Sequence, residues 1–249
     1  MSQVKLSIDD RSIVTLTMAR PEKRNALSLE LINELEAALE DIAGNDDARV
    51  MILAGEGASF CAGMDLKGVL DDARRMSGML HGLSRAMRSI RRLPIPTIAR
   101  VQGAAVGGGC GLAVVCDYAM SHPEAKLGYP EVELGVCPAV VAPWLIRRIG
   151  SGRARSLLLA GGTMPGTQAL ELGLVDELVE YGDLDERCLE FAQRLTKGGR
   201  QALSITKHWL NELEGSLEDA SFEKAAQISA DVIVGDEAQE RLGRIFGSK

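Results

Sequence analysis

A chain of 249 residues, 46% hydrophobic and 25% charged, has an ordinary globular composition and can bury a large core without disulfides, which excludes a disordered or fibrous chain. Its net charge of −7 disfavours nucleic acid and anionic membranes as partners, and no basic run makes a local exception. Five cysteines (Cys61, Cys110, Cys116, Cys137, Cys188) form no CxxC pair and fit the reduced thiols of a cytoplasmic protein.

The opening residues, MSQVKLSIDDRS, carry no targeting pattern, and no apolar run approaches the roughly 20 residues of a membrane span. Val14, Leu16 and Met18 alternate with threonines as a half-buried strand does, and Arg20-Pro21 ends it. Ser28 offers an N-cap to a helix whose apolar face is Leu31, Ile32, Leu35, Leu39 and Ile42, with Gly44 at its C-terminal end. Residues 49–54 read as a buried strand and residues 59–67 as the loop after it. A helix with a Met-rich stripe follows, through Met76, Met79, Leu80, Leu83, Met87 and Ile90, until Pro94 and Pro96 stop it; this stripe is read as core or cavity wall.

A strand over 98–102, a glycine run at 107–109 opening a short helix to Cys116, and a strand over 118–121 continue the alternation. This order of units implies parallel crossovers and an α/β layered core. From Val140 onward the pattern is mainly helical. Gly198-Gly199 divides the chain into a core of residues 1–198 and a helical region of residues 199–249, too small to be stable alone.

Several chemistries can be set aside. His81, His122 and His208 are isolated, so no metal cluster is expected. No GxxxxGK[ST] or GxSxG motif occurs, and Leu112 stands where a dinucleotide fingerprint needs its last glycine. Cys137 lacks a histidine partner that would make it a nucleophile. The glycine run can be read in two ways, as tight helix–strand packing or as the start of a helix whose free N–H groups receive a developing negative charge. The small-residue loop Phe60-Cys61-Ala62-Gly63-Met64-Asp65 can supply a second backbone donor.

Taken in order, Arg20-Pro21 with Asn25-Ala26-Leu27, Phe60 to Asp65, Gln102-Gly103 through Gly107-Gly108-Gly109, Cys116-Asp117 and Pro130-Glu131 resemble the crotonase (enoyl-CoA hydratase/isomerase) superfamily over nearly the whole chain. The resemblance implies a spiral of ββα units with a C-terminal helical oligomerisation region and a homotrimer or dimer of trimers. It also implies an acyl-CoA thioester substrate with coenzyme A as part of it, and no separate cofactor or metal. The two backbone donors on the thioester oxygen carry over to Met64 and Gly108. Lys23, Arg24 and Lys67 either bind the CoA phosphates or are solvated charges, and Ala62, Asp65 and Gly111 fall at substrate-binding positions.

The family's hydratases use two glutamates. Here Gly111 stands in the place of the first, and Glu131 matches the second as the catalytic base. Glu133 is a possible second acid if residues 131–133 are extended; on a helix the two side chains diverge. The segment Pro138 to Pro143 resembles sequences assigned to branched substrates such as methylglutaconyl-CoA. The expected activity is therefore that of an enoyl-CoA hydratase-like lyase on a short or branched acyl chain. The alternatives are a single-glutamate enoyl-CoA isomerase, an acyl-CoA decarboxylase, or a catalytically weak binding or assembly protein.

Overall fold

The computed structural model describes residues 2–70 and 72–246. Strand β1 (Val4–Ile8) turns back on β2 (Ile13–Met18), and Ser28 caps α1 (Leu29–Ala43) by accepting from the Leu31 N–H. β3 (Val50–Gly55), α2 (Ala73–Arg92), β4 (Thr97–Arg100), β5 (Ala104–Val106), α3 (Gly108–Val115), β6 (Tyr118–Ser121) and β7 (Lys126–Gly128) follow. The remaining elements are α4 (Ala142–Ile149), α5 (Ser151–Ala160), β8 (Thr163–Pro165), α6 (Gly166–Leu172), β9 (Glu177–Leu178), α7 (Leu184–Thr196), α8 (Arg200–Leu213), α9 (Asp219–Ile233) and α10 (Asp236–Phe246).

A six-stranded sheet runs β1-β2-β3-β4-β6-β9, parallel throughout except for β1 at its edge. All six residues of β3 are buried, which is why this segment reads as a continuous apolar run. Period 2 then divides them: Met51 and Leu53 join the main core with α1, α2 and α3, while Val50 and Ile52 pack beneath α7 with Leu184, Cys188 and Phe191. Each such side chain contributes roughly 1.5–3 kcal/mol by leaving water, so the pattern commits this strand to two covered faces.

A smaller sheet, β5-β7-β8, lies beside it. Two isolated parallel bridges, Leu27↔Met64 and Cys61↔Ala105, extend this second layer. The chain therefore winds repeatedly through the large sheet, then through the small layer, then through a helix. The ββα spiral expected from the resemblance is this path. The short strands β5, β7, β8 and β9 have two or three residues each, too few to display a period, and β1 was likewise not among the expected strands.

The C-terminal helices pack against the spiral. α9 lies along α2, placing Phe222 against Trp144 of α4 with ring centroids 4.4 Å apart. Gly199 is the N-cap of α8, so the glycine pair fills the short junction between α7 and α8. No helix among the described residues is long and apolar enough to cross a membrane.

Candidate active site

Parallel pairing of Leu27 with Met64 decides where the Met64 amide points. The Leu27 N–H donates to Gly63 O at 2.8 Å, and the Asp65 N–H donates to Leu27 O at 2.9 Å. The N–H of the intervening Met64 faces the other way and has no acceptor among the described residues. Gly108 opens α3 after the N-cap Gly107, and its N–H is one of the orphan donors of a helix start. Both residues line one cavity of about 240 Å³. The two residues that the resemblance names as backbone donors therefore border one space.

Glu131 lines the same cavity, with its carboxyl beside the Gly107-Gly108 turn. Wholly buried Tyr129 anchors the chain after β7, Pro130 caps a 3₁₀ turn over Glu131–Leu134, and Gly135 ends that turn in the left-handed region. Gly107, at φ +55°, has a backbone that a side chain would strain, and a Cβ there would stand 2.9 Å from Glu131 Oε1. The glycine lets the carboxyl lie against the start of α3. Glu131 Oε2 is sealed from solvent and has no hydrogen-bond partner among the described residues. Burial pushes the Glu131 carboxyl up to about 7 from its ordinary 4.5, with only its own backbone amide opposing the shift.

The rest of the wall is largely apolar, with Cys137 and Ser229, whose hydroxyl donates to Cys137 O, as its exceptions. Leu80 and Leu83 come from α2, Leu134, Val136, Val140 and Val141 from the segment after Glu131, and Ile233 and Phe246 from α9 and α10. Met76, Met79 and Met87 are wholly buried core residues off the cavity surface, so the Met-rich helix supplies less of the wall than its sequence led us to expect. The contributions of α9 and α10 were missed because an apolar helical face looks the same whether it covers core or cavity.

The remaining candidate residues separate by position. Ala62 lines the cavity, and its N–H donates to Arg24 O at 3.0 Å. Asp65 lies off the cavity wall and accepts from the Arg20 guanidinium at 2.8 Å, which ties the two loops together. Lys23, Arg24 and Lys67 are exposed and form no ion pair among the described residues. Gly111 is buried behind the wall. Glu133 is exposed, outside the cavity, with Oε1 close to Gly161 and Gly162. The 3₁₀ turn at 131–134 takes the helical branch of the two geometries considered above, so Glu133 diverges from Glu131.

The cavity therefore offers free N–H donors beside a proton-accepting carboxyl in apolar surroundings. That arrangement suits the stabilisation of an oxyanion next to a carbon that gains or loses a proton. Among the described residues there is no cluster of His, Cys, Asp and Glu able to hold a metal ion.

Residues 9–244 match the profile of the family described as enoyl-CoA hydratase/isomerase. The chain is 35% identical to the enoyl-CoA isomerase/hydratase fer4 of Mycosarcoma maydis, over 77% of this chain and 74% of that protein. It is 30% identical to the short-chain-enoyl-CoA hydratase of Clostridium acetobutylicum, over 80% of this chain and 77% of that protein. The crystal structure of an enoyl-CoA hydratase from Bacillus halodurans superposes with a TM-score of 0.89 at 27% identity, covering 98% of this chain and all of that one (100%).

Proposed function

Since this chain belongs to the enoyl-CoA hydratase/isomerase family, we propose that it is a hydratase-type lyase acting on the CoA thioester of a short or branched enoyl chain. The observation that carries the reading is the placement of Glu131: one carboxyl, raised to about 7 by burial, on a residue that lines the same cavity as Met64 and Gly108, whose N–H groups have no acceptor among the described residues.

The thioester oxygen accepts from Met64 and Gly108. As water adds through its oxygen to the β-carbon, the Glu131 carboxylate takes the water's proton and the carbonyl becomes an enolate held by both donors. Protonated Glu131 then returns the proton to the α-carbon, so one carboxyl serves both steps. Losing one such donor is worth about 3–4 kcal/mol at the transition state. Lys23 and Arg24, on the segment before α1 whose Arg24 O accepts from the Ala62 N–H, and Lys67, beside Leu66, are the cations available to the CoA phosphates. The scheme uses no group beyond the chain and its substrate.

A second reading has its own support. A Cβ on Gly111 would press on Met87 Cε and stand 2.7 Å from Val141 Cγ1, so a second carboxylate there has to displace both. A single carboxyl can carry a proton from the α- to the γ-carbon, which is double-bond isomerisation. Turnover of crotonyl-, 3-enoyl-, methylglutaconyl- and malonyl-type CoA thioesters, with α-proton exchange in deuterated water, separates the two. Hydration faster than migration supports the lyase. Migration with exchange and no hydration selects the isomerase, and absence of both turnover and exchange removes the proposal.

A further inference from the structure

Part of the cavity wall is backed by a second layer of side chains. Leu83 and Val141 face the cavity. Behind them α3 passes at Gly111, and the space that a side chain at Gly111 would need is taken by Met87 Cε and by Val141 Cγ1, the latter 2.7 Å from the Cβ position. Met87 is wholly buried, one turn beyond Leu83 on α2, and lies off the cavity surface. Met87 Cε and Val141 Cγ1 thus fill the space beside the same glycine of α3.

This barrier stands close to the oxyanion donors. Gly111 follows Gly108 by three residues of α3, a rise of about 4.5 Å along the helix axis. An acyl chain whose carbonyl oxygen sits at Gly108 and which runs along α3 reaches Val141 after a short length. We infer that Val141, backed by Met87, sets the longest acyl chain that the cavity accepts. This rests on the thioester reading above and adds to it the residues that set the length of the acyl chain. Val141 is β-branched with a stiff χ1, and Met87 is an unbranched filler that occupies the gap left by the glycine. A longer chain must displace both from a close-packed layer.

Binding measured by calorimetry with butyryl-, hexanoyl- and octanoyl-CoA tests this without relying on turnover. The wild-type protein is expected to gain nothing from butyryl to hexanoyl. Met87→Ala and Val141→Ala, confirmed as folded by near-UV circular dichroism, are expected to gain about fourfold per added methylene, the ratio for burying one CH₂. Gly111→Ala acts on the same barrier from behind, pushes Met87 and Val141 toward the cavity, and should weaken butyryl-CoA several-fold.

Folded Met87→Ala and Val141→Ala proteins that keep the wild-type hexanoyl-to-butyryl ratio would overturn the inference. So would a wild-type protein that gains fourfold per methylene through octanoyl-CoA, an outcome that needs no variant to fold. Failure of the wild-type protein to bind butyryl-CoA would remove the thioester reading, and this inference with it.

Discussion

Burial of Glu131 has opposite consequences for stability and for catalysis. With a carboxyl at about 7 instead of 4.5, the native protein keeps a proton that the unfolded chain loses between those values, so stability falls as pH rises through that window. Glu131→Gln carries no charge and should be the more stable protein at pH 8, by up to about 3 kcal/mol, with little difference at pH 4; urea unfolding at the two pH values checks the sign. The same replacement removes the base. The variant should lose at least ~10²-fold in kcat, and with it the wild-type acid limb of kcat/KM, whose midpoint lies near pH 7. Gly111→Glu is the complementary change at the residue scale. Because Met87 and Val141 already occupy its space, we expect about 1–3 kcal/mol of destabilisation and a parallel fall in hydration and isomerisation. Increased hydration in that variant would show that the barrier can open to admit a carboxylate.

Elements hold these residues through junctions more than through their interiors. α3 begins at a glycine whose backbone and contacts exclude a side chain, so Gly107→Ala should lower stability by about 1–3 kcal/mol and displace the Glu131 carboxyl. Thermal unfolding together with kcat, which should fall at unchanged protein concentration, reads both effects. At the other end of α3, Asp117 accepts from the Thr97 N–H at 2.8 Å, from the Thr97 hydroxyl at 2.9 Å and from the Lys207 ammonium at 2.7 Å. Lys207 is almost fully buried and also donates to Ile95 O, so it pins α8 to the strand β4 end of the spiral. Burial lowers the Lys207 pKa and Asp117 opposes that shift. Removing the ammonium in Lys207→Ala leaves a part-buried acid with one fewer partner, and a loss of about 3 kcal/mol in denaturant unfolding at neutral pH is expected.

At the scale of the whole molecule, α8 leaves an apolar stripe uncovered. Ile205, Trp209 and Leu213 are 60%, 53% and 64% exposed at successive turns, with Leu210 beside them at 54%. Ile228 and Val232 of α9 are also exposed, at 39% each. A stripe of this kind is costly in water and is covered most simply by another copy of the chain. Self-association is therefore expected in sedimentation at micromolar concentration, trimer-based as the family resemblance implies, and a chain ending at Ala202 should aggregate. A monomer that stays soluble under those conditions would show that the stripe needs no partner.

Period and punctuation in the sequence determined the strand over 14–18, α1 with its serine cap, the buried strand β3, the α2 stripe and the glycine opening of α3, because each depends on neighbours within one turn or one pleat. The ordered motifs also led to Met64, Gly108 and Glu131 through their likeness to a family. Where those groups meet was decided only by the tertiary structure. The direction of the Met64 amide depends on a bridge to Leu27, the raised pKa of Glu131 depends on its burial in the folded chain, and the fate of the Gly111 position depends on Met87 and Val141. Lys23, Arg24 and Lys67 remain exposed in the folded chain, and the turn at 131–134 separates Glu133 from Glu131. These outcomes were hidden in the sequence because hydrogen-bond direction, burial of charge and free volume are set by residues tens of positions apart, and no local spacing encodes them.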